Sequence, residues 1–503
     1  MSQDDASATQ KDGAPKKKSL RKALSLSFVQ TFVNLVFSFG SVIIVSHILT
    51  PAQIGVFSVA AGMVALIHML RDFGVSEYLV QERELNESSI RTVFTINLAI
   101  AWVLGIALFA LSSKIGRFYG DAGVTQVLRV LSGVFMLLPF GTTTIALLKR
   151  ELEFGKLTKI RIAESVFRSS TTVALAFAGF SYMSMAWSSM VATLVMVAGC
   201  AIWGWKYRSH GLGLAGWRRV LHFGSNRTVA DIASQIGEQS ANLVIGRMLG
   251  MADTGLYSRG YGIVNMYRTN IVGAIGNVAF PAFAREHRET GTAPQLFLKS
   301  LVYLTGISWP FFAAGVLLAF PIIRILFGDQ WDAAVPVMRW LCGAALVGTL
   351  IYQCNYFLVA LGEVRAVTRI EVEYQLARIG VTIAAAFYSL IAVAAVQILV
   401  YVVATALYYR RLRGYDALSL GECARALVPS VWVTLATCVV PAAVVAWPGL
   451  LRQHMLAAFV VAVLGGCVGW FACVRVIAHP LLGELQRVIT RFVPVAMPLV
   501  GRP

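Results

Sequence analysis

Apolar runs of about twenty residues, separated by short polar stretches, recur from residue 24 to residue 475. At a helical rise of about 1.5 Å per residue, each run is long enough to cross a hydrocarbon core about 30 Å thick. The runs do not alternate apolar and polar positions as barrel strands do. Backbone groups in lipid must pair within their own segment, which leaves helices. The pattern predicts an all-α integral membrane protein with fourteen transmembrane helices, at 24–48, 54–70, 91–112, 124–147, 162–180, 183–205, 222–246, 254–283, 299–321, 335–361, 370–388, 390–409, 426–446 and 455–475. Most connections are short, and none could hold a separate soluble domain. Residues 1–22 read as a disordered basic tail. Residues 477–503 read as a second tail with an amphipathic stretch, 481–492, suited to the membrane interface. The first run is too long for a signal-peptide core and is not followed by an A-x-A site, so it reads as a retained helix.

Composition agrees with this pattern. The 503 residues are 57% hydrophobic and 14% charged, with a mean hydropathy of +0.70, where soluble domains carry about 25% charged residues. The net charge of +18 would suggest nucleic acid in a soluble protein. Here it follows from the excess of Lys and Arg in cytoplasmic loops. With the N-terminus inside, 31 of the 43 basic residues fall on the cytoplasmic side, and only Lys114, Arg117, Arg247, Arg324, Arg339 and Arg452 fall outside. That asymmetry predicts an even number of spans with both termini in the cytoplasm. No CxxC pair occurs among the seven cysteines, so neither a disulfide framework nor a zinc site is expected.

The chain also repeats itself. Val45–Val64 aligns with Ile245–Val264 at an offset of 200, matching Leu49/Leu249, Ala52/Ala252, Gly55/Gly255, Ser58/Ser258, Gly62/Gly262 and Val64/Val264. At offsets of 208 to 210, Gly120-Asp121 matches Gly328-Asp329, Arg129 matches Arg339, Leu157–Ile160 matches Val367–Ile370, and Arg168 matches Arg378. Helices 1–6 (residues 23–221) therefore repeat as helices 7–12 (222–410), with helices 13 and 14 (411–476) added. Six is even, so the two lobes are parallel repeats about an axis along the membrane normal, an arrangement that encloses a central substrate path.

Several motifs carry a family resemblance: Leu49-Thr50-Pro51 into Gly55-Val56-Phe57-Ser58, Arg71-Asp72-Phe73-Gly74, Ala252–Arg259 and Phe280–Arg285. With the fourteen-helix layout, they resemble the Wzx-like oligosaccharide and polysaccharide flippases of the multidrug/oligosaccharidyl-lipid/polysaccharide exporter superfamily. The resemblance implies a protein of the bacterial inner membrane that moves undecaprenyl-pyrophosphate-linked repeat units to the periplasmic face. It also implies membrane lipids, a polysaccharide polymerase and a chain-length regulator as partners, and no cofactor or nucleic acid.

Ionisable groups at membrane depth are costly, so they mark cavities or partners. Arg227, Asp231, Gln235, Glu238 and Asn242 lie three or four residues apart and share one helix face. That stripe reads as a cavity lining: Arg227 to attract a diphosphate, Asp231 or Glu238 to bind a coupling proton or cation. Arg227 and Asp231 also read as a neutralising pair, and the amides as interhelical glue. Tyr261, Asn265 and Arg268 form a second face, with Tyr and Asn suited to sugar hydroxyls. Arg168 and Arg378, at equivalent repeat positions, read either as a cationic clamp on a diphosphate or as salt bridges within each lobe. Glu164 is the expected partner of the first, and Glu371 or Glu373 of the second. Asn34, on the first helix, reads as cavity-side or helix-contact.

No G-x-x-x-x-G-K-[ST] loop, HExxH motif or nucleophilic triad is evident, so the chain reads as a transporter without an ATPase motif. Three rivals remain: a cation-coupled drug antiporter of the same superfamily, a flippase for another polyprenyl-linked precursor, and a membrane glycosyltransferase or polymerase.

Overall fold

The computed structural model describes residues 17–71, 78–79, 82, 85–207, 211–218, 220, 228–290, 293–414, 418–484 and 486. Among them all regular structure is helical. In chain order the helices are α1 (Lys17–Ile48), α2 (Pro51–Arg71), α3 (Glu87–Tyr119), α4 (Ala122–Leu137), α5 (Pro139–Arg150), α6 (Phe154–Phe177), α7 (Met183–Trp203), α8 (Thr228–Met248) and α9 (Met251–Tyr267). Then come α10 (Gly273–Thr290), α11 (Pro294–Leu317), α12 (Ala319–Phe327), α13 (Ala334–Ala360), α14 (Val364–Ala386), α15 (Leu390–Leu412), α16 (Leu420–Val445), α17 (Pro448–Gln453) and α18 (Met455–Val476). Nine of the described helices are long and apolar enough to cross a membrane, or up to ten when the bent pair α4–α5 counts as one span.

Two predicted spans are not single straight helices. The stretch 124–147 bends by 50° between α4 and α5. Pro139 begins α5 there, and proline has no N–H to continue the ladder of the preceding helix. The stretch 254–283 is interrupted by one π-helical turn, Arg268–Val272, between α9 and α10. The predicted tails and the stretch 481–492 lie largely outside the described residues.

Helix starts follow from local chemistry. At Thr50-Pro51, the Thr50 N–H donates to Gln53 Oε1 (3.0 Å) and the Gln53 N–H to Thr50 Oγ1 (3.4 Å). This reciprocal cap, with proline at the first helical position, opens α2. Ser419 and Glu422 make the same kind of box before α16. The repeated Gly-Asp pair has a backbone reason: Gly120 and Gly328 have φ of +69° and +97°, a region that suits residues without a Cβ.

The chain forms two compact units. The first contains residues 1–48, 70–117 and 122–228; the second contains 49–69, 118–121 and 229–503. Within the first, α6 packs on α7 and on α1, and Ile145, Leu148, Ile160, Met196 and Cys200 form a core under α5. Within the second, α13 packs on α15, α11 on α16, and α16 on α18. Phe283, Phe297, Phe357 and Tyr408, all fully buried, anchor one of its cores.

Most of α2 belongs to the second unit, where it meets α9 at a contact that repeats itself. A Cβ on Gly55 would stand 1.7 Å from the Met251 carbonyl oxygen, and one on Gly255 would stand 1.9 Å from the Pro51 carbonyl oxygen. The hydroxyls of Ser58 and Ser258 bond at 3.0 Å. Each residue thus faces its repeat counterpart or the neighbourhood of it, as in an isologous contact about a two-fold axis.

Candidate functional site

The second unit buries a polar network between its helices. α8 carries Glu238, and the π turn after α9 carries Arg268. The two form an ion pair, and Arg268 Nη2 donates to Glu238 Oε2 at 3.0 Å. Asn265, one turn back, accepts from Nη2 (2.8 Å) and Nε (3.2 Å) of the same guanidinium. Four of its five N–H groups are therefore directed by the protein before any ligand arrives. Tyr261, Arg268, Tyr352 and Tyr401 line a cavity of about 20 Å³, room for about one water. A Cβ on Gly348 would stand 3.2 Å from the Tyr401 ring, so a small residue on α13 lets that ring in. Tyr257 stacks on Tyr261 with ring centroids 6.0 Å apart and planes at 12°.

A second cluster centres on Glu371 of α14. Tyr408 donates to its Oε2 (3.0 Å) and Tyr374 to its Oε1 (3.2 Å). Ser234 on α8 bonds to the same carboxylate. Asn355 Nδ2 donates to Tyr408 (3.1 Å), and Gln375 Nε2 to Tyr374 (2.8 Å). Two turns along α14, Arg378 is 3% exposed, and its Nε donates to Gln397 Oε1 at 3.0 Å. Gln397 in turn donates to Thr382 (3.3 Å). The expected partners Glu371 and Glu373 are engaged elsewhere, the former by hydroxyls and the latter by Arg369 at 2.7 Å. Arg378 is held by an amide and lies beside Tyr257, so the salt-bridge expectation for it is corrected.

In the first unit, α6 carries Arg161, Glu164 and Arg168. Glu164 takes both arginines, Arg161 at 3.0 Å and Arg168 at 2.9 Å. The expected Glu164–Arg168 pair is present, and the Arg168 side chain remains 44% exposed. Ser165 donates to Asn34 Oδ1 on α1 at 2.8 Å, so Asn34 makes a helix–helix contact.

Of the α8 stripe, Gln235, Glu238 and Asn242 are half-buried, and Asn242 Oδ1 is buried without a hydrogen-bond partner. Arg227 lies outside the described residues, as does the side chain of Asp231. The structure joins Glu238, Asn265 and Arg268 into one hydrogen-bonded network, and Tyr261 lines the same cavity as Arg268. Sequence reasoning missed Tyr401 and Tyr408, which sit in long apolar runs where tyrosine reads as an interfacial residue; Tyr352, with Asn355, reads as cavity-side or helix-contact. Among the described residues, no three of His, Cys, Asp and Glu converge as metal ligands.

The sequence and the fold have parallels in known proteins. The profile of the polysaccharide biosynthesis protein family matches residues 44–336, more than half of the chain. The lipopolysaccharide biosynthesis protein WzxC of Escherichia coli (strain K12) is 25% identical over 340 residues, 67% of this chain and 69% of that protein. The succinoglycan biosynthesis transport protein ExoT of Rhizobium meliloti (strain 1021) is 27% identical over 320 residues, 64% of each chain. The teichuronic acid biosynthesis protein TuaB of Bacillus subtilis (strain 168) is 25% identical over 305 residues, 58% of this chain and 61% of that one. The match thus spans slightly under two thirds of ExoT and TuaB. In fold, the lipid II flippase MurJ in an inward closed conformation aligns with a TM-score of 0.75 at 11% identity, over 91% of this chain and all of that one. An inward-facing multidrug resistance MATE transporter aligns with a TM-score of 0.61 at 15% identity, over 79% of this chain and 99% of that one. The chain thus shares its fold with these two proteins, is a multi-pass membrane protein, and belongs to the polysaccharide biosynthesis protein family, the Wzx-like membrane proteins that its motifs resemble.

Proposed function

We propose that this protein flips an undecaprenyl-pyrophosphate-linked oligosaccharide from the cytoplasmic to the periplasmic face of the bacterial inner membrane, for surface polysaccharide assembly. The observation that carries the reading is the Glu238–Arg268–Asn265 network beside the half-buried Tyr261, Tyr352 and Tyr401, in a member of a polysaccharide biosynthesis family. Ionisable groups at membrane depth cost about 2.5–3.5 kcal/mol each on insertion scales, so a chain that keeps several has a polar task for them. Tyrosine faces and side-chain amides recognise sugar rings and hydroxyls, and guanidinium recognises diphosphate oxygens.

In this reading the chain crosses the membrane fourteen times with both termini in the cytoplasm. Its two six-helix halves rock about a central polar seam lined also by Arg227, Asp231, Gln235 and Asn242. The lipid tail stays in the bilayer. Entry of the head group draws Arg268 from Glu238 to the diphosphate, and the freed carboxylate takes up a proton or cation, as Asp231 also can. Rocking then breaks the Gly55/Gly255 crossing and releases the head group outside, where a polymerase and a chain-length regulator act on it. Arg168, more exposed than Arg378, is the better placed of the two for direct substrate contact.

A strain lacking this protein tests the proposal. It should lose surface polysaccharide and accumulate lipid-linked oligosaccharide that outside enzymes cannot reach in intact spheroplasts. Normal export, or intermediate exposed on the outer face, would refute it. Loss of drug resistance with polysaccharide unchanged would favour the antiporter instead.

A further inference from the structure

We propose that the ends of α14 and α15 that carry Arg365, Arg369, Arg410 and Arg411 form a docking groove for the phosphate headgroup of an anionic phospholipid. The groove has a volume of about 520 Å³, and Ile370 and Leu407 also line it. Its charges do not cancel. Arg369 pairs with Glu373 at 2.7 Å, and Arg411 pairs with Glu363. Arg365 and Arg410 pair with no acid among the described residues, so two positive charges remain in one concave place. The groove also lies at the start of α14, where first-turn N–H groups lack helical partners and the helix dipole is positive.

A generic excess of positive charge in cytoplasmic loops would give both halves of the repeat the same feature. It does not. α6 begins at Phe154 and α14 at Val364, an offset that sets Gly155 opposite Arg365 and Lys159 opposite Arg369. α7 ends in Ala201, Ile202 and Trp203, whereas α15 ends in Arg410, Arg411 and Leu412. The first half has lysines there instead, Lys156 and Lys159 at the start of α6 and Lys206 after α7, and Lys156 is paired with Glu153 at 3.1 Å. The group of four arginines, with their planar forks for phosphate, occurs in the second half.

The occupant follows from the chemistry. Guanidinium groups bind phosphate oxygens in paired hydrogen bonds. Clusters of basic residues at the cytoplasmic ends of membrane helices attract anionic headgroups at about 1 kcal/mol per residue. Ile370 and Leu407 give the groove an apolar floor suited to the start of an acyl chain rather than to a free ion. Placing the groove at the cytoplasmic leaflet rests on the orientation proposed above; binding itself does not.

Native mass spectrometry of the full chain in detergent, titrated with dioleoyl phosphatidylglycerol or dioleoyl phosphatidylcholine, tests the assignment. The Arg365→Gln/Arg410→Gln variant should weaken the phosphatidylglycerol adduct about thirtyfold and leave phosphatidylcholine unchanged. An Arg285→Gln/Arg288→Gln variant, which removes equal charge elsewhere, should bind like wild type. Millimolar inorganic phosphate should not displace the lipid. Unchanged binding in the first variant, an equal loss in the second, or displacement by phosphate would each overturn the proposal. The readout involves no transport, so its failure leaves the flippase reading standing, and failure of that reading leaves the groove standing.

Discussion

At equivalent places in the repeat, α6 and α14 each carry polar groups three and four residues apart, and the two ladders differ in kind. α6 has Arg161, Glu164 and Arg168, two cations on one carboxylate, with Arg168 44% exposed. At the matching positions α14 has Glu371, Tyr374 and Arg378. There the carboxylate is held by hydroxyls and the arginine, 3% exposed, by an amide. A duplication that began with two equal halves now has one half with an uncancelled, accessible cation and another whose cation is part of the interior. The first arrangement suits contact with a passing anion, and the second suits a fixed polar core against which something can move.

The strongest way to break this comparison is to unbalance the second half. Glu238→Gln leaves the half-buried Arg268 without its carboxylate, which should cost about 3 kcal/mol, the low end for a broken interior ion pair, read as a drop in melting temperature in detergent. Adding Arg268→Gln should restore most of the stability without restoring polysaccharide export. Recovery of both would mean that the pair only holds the helices together. Of similar size, Arg378→Ala strands the Gln397 amide and should cost about 3 kcal/mol, while Arg168→Ala should cost under about 1 kcal/mol. Equal losses would erase the distinction between the ladders.

The crossing of α2 and α9 sharpens the comparison from the side where the halves remain alike. Gly55→Ala and Gly255→Ala each force a methyl against backbone and should each destabilise by about 1–3 kcal/mol. Gly262→Ala, with open space around it inside α9, should instead stabilise by about 0.5–1 kcal/mol. Unequal effects at Gly55 and Gly255 would show that the contact is not reciprocal. The smallest effect concerns the turns before the ladders. Leu152 has φ of +56° where the second half has Gly362 at +85°, and a side chain in that region costs about 1–2 kcal/mol. Leu152→Gly should therefore stabilise the protein by about 0.5–1 kcal/mol, and Gly362→Ala should do the opposite, both measured by thermal melting.

Much of this was legible in the sequence because hydropathy is local. Among the described residues the predicted apolar stretches fall almost wholly on helix, and Glu164–Arg168 could be paired because i and i+4 meet on one face. The bend at Pro139 had a visible cause, inside a run apolar enough to read as one span. The π turn at Arg268–Val272 had none, since no Gly or Pro marks it. Arg268 and Glu238 were both visible as polar residues in membrane runs, but their pairing joins separate helices and no spacing reveals it. Arg378 was given a carboxylate because two lie within a turn or two. The amide it uses instead, on Gln397, comes from the next helix. Tyr401 and Tyr408 were hidden because an aromatic in an apolar run looks the same whether it faces lipid, an interface or a buried charge.

The most direct measurement is a flipping assay in proteoliposomes that carry the purified protein and a fluorescent polyprenyl-diphosphate-linked oligosaccharide in the inner leaflet. Wild-type protein should expose the glycan to an external glycosidase within minutes, and the Glu238→Gln/Arg268→Gln variant should leave it protected. Equal exposure with wild type, variant and empty liposomes would contradict the account.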